Sequence, residues 1–115
     1  MKKVTNLAFI RAQPVRSAEL GGRLRRLVAR SRREPGCIRY DLHRADDDAD
    51  LWLLYETWRS AGHLQAHYAT AHLRAFIAEA PFLVEGPLEL RGFTPNPPLD
   101  RVRPRRLLGG VAALH

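Results

Sequence analysis

Two segments of the chain, Val4 to Arg11 and Leu51 to Trp58, read as strands with apolar residues on both faces. A strand of that kind must be covered twice. In the first, Val4, Ala8 and Ile10 lie on one side and Leu7 and Phe9 on the other. Between them Cys37 to Arg44 alternates Ile38, Tyr40 and Leu42 against Arg39, Asp41 and His43, the period-2 signature of a strand. Leu88, Leu90 and Phe93 mark a fourth strand after Gly86-Pro87.

Two helical regions separate these strands. Leu20, Leu24, Leu27 and Val28 recur at helical spacing behind Ser17, an expected N-cap, and Pro35-Gly36 stops that helix. Gly21-Gly22 weakens the helix without abolishing its pattern. Ser60 caps the second region, whose stripe is Leu64, Tyr68, Leu73, Phe76 and Ile77. Thr70 predicts a break and a fresh cap, and Pro81 the end. Asp46, Asp47, Asp48 and Asp50 form a solvated hairpin turn, since the Gly and Glu of a calcium loop are misplaced.

The order β-α-β-β-α-β predicts an α+β, ferredoxin-like fold. Two helices cover one face of a four-stranded sheet, so the other needs a partner. A second copy is the economical solution, giving a homodimer whose sheets meet face to face as a dimeric α+β barrel. Residues 1–94 make up this domain, and 95–115 form a basic tail rich in Pro and Arg. Leu107, Leu108, Val111 and Leu114 are expected to pack on one of the two subunits, over a pocket mouth, or to make no more than a lattice contact.

The net charge of +7 suggests nucleic acid until it is divided. Residues 11–33 carry +7 and residues 34–94 carry −5. Of 19 basic residues 17 are Arg, a bias of composition more than a phosphate site, and no binding motif accompanies them. No nucleic-acid partner is expected. No apolar run approaches the roughly 20 residues of a membrane span, and no signal peptide is evident. Cys37 is the only cysteine, which excludes an intrachain disulfide and reads as a small buried apolar residue. A cytoplasmic location is expected, with no membrane partner.

Glu34-Pro-Gly-Cys-Ile-Arg-Tyr-Asp-Leu-His-Arg44 and the run Glu56-x-Trp58-x-Ser60-x-x-His63-Leu64-x-Ala66-His67-x-x-Thr70-x-His72-x-x-Ala75 resemble the antibiotic biosynthesis monooxygenase family, and within it the small quinol monooxygenases. The resemblance covers roughly residues 4–94. It implies a dimeric α+β barrel that oxygenates hydroquinones or polyphenols with O2 and no cofactor: neither metal, flavin nor haem. Where the branch acting on tricyclic polyketides has an asparagine and a tyrosine, this chain has Leu54 and Leu64. Where the haem-degrading branch has its iron-binding histidine, it has Ile77, and Ala8 stands near that branch's asparagine, with Asn6 two residues earlier. Both chemistries are disfavoured.

Oxygenating a small aromatic substrate requires taking its phenolic proton, stabilising the anion and keeping the ring dry. Histidine titrates near neutral pH and tryptophan offers a flat wall with one hydrogen-bonding edge. His67, His72 and Trp58 are therefore the candidate catalytic residues, and Tyr40, Tyr55, His63 and Arg39 the candidate substrate-binding ones. His67 and His72 share a pocket only if the helix breaks near Thr70. The competing reading has both histidines bonded to free backbone at that break, and Trp58 as simple core. His63 and His67, four apart, have metal-ligand spacing, yet no third ligand is evident unless His72 or Glu56 approaches, so no metal is expected. His43 and the terminal His115 are not favoured. Two other functions stay open: isomerisation or tautomerisation of a small carbonyl compound, and non-catalytic binding of a small molecule.

Overall fold

The computed structural model describes residues 2–98, so the expectations for Leu107, Leu108, Val111 and Leu114 lie outside the described residues. The elements are β1 (Val4–Arg11), α1 (Ser17–Ser31), β2 (Cys37–Arg44), β3 (Leu51–Trp58), α2 (Ala61–Tyr68), α3 (Ala71–Leu83) and β4 (Glu89–Phe93). The strands form one antiparallel sheet in the order β2-β3-β1-β4, the ferredoxin-like arrangement.

Register turns the alternation of each strand into rows across the sheet. On the helix-covered face, Tyr40, Glu56, Asn6 and Gly92 occupy one row, and Leu42, Leu54, Ala8 and Leu90 the next. Trp58 lies one row beyond the first, opposite Val4 and Cys37, and Trp52 pairs with Ile10 at the other end. Ala8, Ile10, Trp52, Leu54 and Trp58 are buried here against Leu20, Leu24, Leu27 and Phe76 of the helices. Leu7, Phe9, Leu53 and Tyr55 point to the opposite face, which no helix covers, and stay half-buried.

Several local readings hold for physical reasons. The helical region breaks at Thr70, whose hydroxyl accepts from Leu73 N at 3.4 Å and donates to His67 O at 2.8 Å. Ser60 accepts from His63 N at 3.3 Å and caps α2. Gly21 is required by packing, because a Cβ there would stand 2.7 Å from the Trp52 ring.

Two expectations are corrected. Ser17 does not cap α1: it is the first helical residue, and its Oγ accepts from Trp52 Nε1 at 3.0 Å and donates to Ala49 O at 2.6 Å. Tertiary partners claimed the hydroxyl. Pro81 does not end α3, which runs to Leu83. The extra turn is held by the burial of Leu83 and Val84, by Gln13 N donating to Leu83 O at 2.9 Å, and by the Ala12–Val84 bridge. These contacts outweigh the backbone bond that a proline removes.

Candidate functional site

The polar row on the helix-covered face is the site's foundation. Tyr40 (β2), Glu56 (β3) and Asn6 (β1) are neighbours by register, buried, and placed between apolar rows. Above them lies a cavity of about 240 Å³ between the sheet and α2 and α3. Its walls are apolar, from Ala8, Ile10, Leu54, Phe76, Leu88 and Leu90, while Asn6, Tyr40, Glu56 and His67 bring the polar atoms. The two rows of the sheet therefore give the cavity one polar end and one apolar end.

His67 forms the roof of the polar end. It is 1% exposed and its ring stacks on Trp58 with centroids 4.7 Å apart. Its Nδ1 lies 2.8 Å from Glu34 Oε2 and its Nε2 lies 3.2 Å from the Tyr40 hydroxyl. A carboxylate oxygen accepts, so Nδ1 donates to Glu34 and Nε2 is left to accept from the Tyr40 O–H. Burial holds the His67 imidazole below its ordinary range, against the opposing pull of Glu34, and keeps it neutral at pH 7. Burial first, then the neighbouring Glu56, pushes the Tyr40 phenol well up, so it stays protonated.

Glu56 is the exceptional group. Burial pushes its carboxyl up to about 7, with Trp58 Nε1 donating to Oε1 at 3.0 Å in partial compensation. Its cross-strand neighbour Asn6 also pulls the carboxyl down, although its amide nitrogen has no well-formed hydrogen bond among the described residues. An apolar cavity thus ends at a carboxyl pushed up to about 7, beside the amide donor of Asn6. That is a general acid or base in waiting.

Three of the sequence-derived candidates meet here: Tyr40 and His67 line the cavity, and Trp58 stands directly behind, stacked on His67 and bonded to Glu56. His72 reaches the same network from the far side, its Nε2 2.5 Å from Glu34 Oε2, but it borders a groove between α1 and α3, not the cavity. The fold separates the others. Arg39 lies over the Tyr55 ring at 5.0 Å on the uncovered face, since both are at odd positions of strands whose even positions face the helices. His63 turns its Nδ1 to Ser60 Oγ at 2.8 Å and packs on Gly36, where φ is +80° and a Cβ would collide with the His63 ring. The helical spacing of His63 and His67 therefore joins nothing.

Sequence reasoning gave Glu34 no role and weighed Glu56 only as a possible metal ligand, not as an acid or base. Glu56 did carry a signal, a carboxylate between Leu54 and Trp58 on the inward face of a strand. The sequence reading paired His63 with His67 and looked to His72 or Glu56 for a third ligand; the fold instead gathers His67, His72 and Glu34, whose nearest nitrogens and carboxylate oxygen all lie within 4.8 Å of one another. Cys37 gains no activation, because burial and then Glu34 raise its thiol to about 11.

Residues 3–79 match the family model described as antibiotic biosynthesis monooxygenase. The chain belongs to that family. Among relatives of this monooxygenase family, PA3566 of Pseudomonas aeruginosa, a crystal structure, superposes with a TM-score of 0.80 at 32% identity, covering 84% of this chain and 97% of that one. YcnE of Bacillus subtilis, a proposed monooxygenase, is 29% identical over 83 residues, 72% of this chain and 87% of its own. The uncharacterised sll1783 of Synechocystis sp. is 28% identical over 82 residues, 71% of this chain, which spans just over half (56%) of that protein's length. No helix among the described residues is long and apolar enough to cross a membrane.

Proposed function

We propose that this member of the family is a cofactor-independent monooxygenase acting on a small quinol-like or phenolic compound. The observation that carries the reading is the buried Glu56 carboxyl, pushed up to about 7, at the polar end of an apolar cavity. The cavity's 240 Å³ falls below the roughly 300–1,000 Å³ typical of drug-sized ligands, which suits one ring better than a fused system.

The ring lies among Leu54, Phe76 and Leu90 with a hydroxyl toward Asn6 and Glu56. Ionised Glu56 takes the phenolic proton. The Asn6 amide donates to the resulting oxyanion, and the Tyr40–His67–Glu34 chain fixes the roof. The electron-rich anion passes one electron to O2, and recombination forms a C–O bond at the ring. Cleavage of the O–O bond then leaves one oxygen on the product, a hydroxyquinone. The other departs as water, taking the proton that Glu56 returns and the hydrogen that the oxygenated ring carbon loses as its C=O forms. Trp58 and His67 act by holding the carboxyl and the roof in place, and His72 through Glu34.

The working form is a homodimer in which Leu7, Phe9, Leu53 and Tyr55 of two sheets cover one another. Four half-buried apolar side chains on one uncovered face are the support for it. Oxygen uptake with a panel of hydroquinones tests the function: turnover is expected with a single-ring quinol and is lost in Glu56→Gln. The same carboxyl also suits proton transfer next to a carbonyl, the isomerase reading. Anaerobic conversion of a small enolisable ketone would favour that reading, and binding without any conversion would favour a carrier.

A further inference from the structure

We infer that Glu34, His67 and His72 form a binding site for a divalent first-row transition ion of the zinc type, on the side of His67 that faces away from the cavity. The three ligands come from three segments: the turn after α1, the last turn of α2 and the first turn of α3. His67 Nδ1 and His72 Nε2 both address one oxygen of Glu34, at 2.8 and 2.5 Å. Around zinc, with bonds of about 2.0–2.2 Å, tetrahedral ligand atoms stand roughly 3.4 Å apart. The nitrogens therefore need to part from the carboxylate by less than about 1 Å, within the reach of small side-chain rotations.

The chemistry of the donors selects the ion. Two imidazoles and one carboxylate suit zinc, cobalt or nickel, whereas calcium and magnesium take oxygen ligands. The support that ligating histidines require is already built. The Tyr40 hydroxyl, 3.2 Å from His67 Nε2, can accept the second ring N–H once the ion holds Nδ1, and Trp58 fixes the plane of the ring. Glu34 is close to buried, with its side chain 9% exposed, and its hydrogen-bond partners among the described residues are these two imidazoles. A cation satisfies that carboxylate. His72, at 19% side-chain exposure, borders the groove between α1 and α3, which gives the ion an entry and a fourth, exchangeable position. Arg26 and Arg30 line the same groove and repel a dication, so a modest affinity is expected.

The site needs no turnover, and its test is independent of the oxygenase reading. Chelator-treated protein is titrated with Co2+ and its visible absorption followed, then Zn2+ is added in competition. The expected result is an intense low-coordinate cobalt spectrum saturating at one equivalent per chain and displaced by zinc. His72→Ala and Glu34→Gln should each weaken binding more than tenfold, while His43→Ala, an exposed histidine of β2, leaves it unchanged. His72→Gln, checked for a native circular dichroism spectrum, covers the event that the alanine variant misfolds. A spectrum of hydrated cobalt only, or binding that survives both His72 substitutions, would overturn the site.

Discussion

The two faces of the sheet are made by alternate residues of the same strands, yet they present opposite surroundings. On the covered face β1, β2 and β3 each contribute one polar residue (Asn6, Tyr40 or Glu56) to a single row between apolar neighbours, and helices seal those three from water. On the uncovered face the arginines of the edge strands cover aromatic rings, Arg39 over Tyr55 and Arg91 over Phe93, while Leu7, Phe9 and Leu53 occupy the middle. A buried carboxyl among apolar walls is costly and is the mark of chemistry. Apolar residues left half-covered are the mark of association. The difference teaches that period-2 alternation can encode two environments in one strand, which the proposed function assigns to catalysis and to association.

The largest effect expected from breaking this division is at Glu56. Replacing it by glutamine keeps the shape and the Trp58 hydrogen bond but removes the proton acceptor, and turnover should fall by about 10² to 10⁴. The parent's rate should rise with pH through about 7 as the carboxyl ionises, and the variant should lose that limb. Steady-state oxygen uptake from pH 5.5 to 8.5 reads both. A variant within a few-fold of the parent would move the base to His67.

Next in size is the other face. Leu53→Glu sets a carboxylate in the middle of the proposed interface, where desolvating each ion costs several kcal/mol. Light scattering at micromolar concentration should pass from about twice the 13.1 kDa chain mass to the chain mass itself. A parent that is already monomeric would dispose of the barrel.

Glu56 also separates the two faces thermodynamically. Its carboxyl titrates at about 7 in the fold against an ordinary 4.5, so between those values the folded chain holds a proton that the unfolded chain has released. The associated stability is complete below about 4.5 and lost as pH rises through 7, amounting to about 3 kcal/mol. Urea unfolding of the parent and of Glu56→Gln should therefore diverge with pH, the variant gaining on the parent by up to that amount at pH 8. Equal pH dependence would mean the carboxyl is not desolvated.

What could be read from the sequence divides along similar lines. The strands, the element order and the break at Thr70 were legible because each is local: alternation within one strand, or a hydroxyl placed to meet an amide three residues on. The meeting of Glu34 with His67 and His72 was not, since 33 and 38 residues separate them and no periodicity spans the intervening hairpin. His63 illustrates the converse. Its spacing to His67 is ideal on a helix, yet its ring is claimed by Ser60 and Gly36, partners that only the fold supplies. Ser17 and Pro81 failed for the same reason, a tertiary contact overriding a local preference.

The smallest effect expected is at Tyr55, and its smallness is the point. The family run begins beside it, and an aromatic ring at this position is an evident candidate for substrate contact. Its register decides otherwise: Tyr55 pairs with Leu7 and Asp41, all facing away from the helices, while Glu56 next to it faces the cavity. Arg39, 5.0 Å above the ring, completes a surface contact worth about 0.5–1 kcal/mol where exposed. Tyr55→Phe keeps that surface and removes only the hydroxyl, so KM for a responsive quinol should change by less than about twofold and the dimer should persist. Tyr40→Phe removes a hydroxyl from the same sheet, but on the face where it donates to His67, and should raise KM or lower kcat measurably. Equal responses of the two variants would mean that the substrate reaches both faces. The assignment of catalysis to one face and association to the other would then fall.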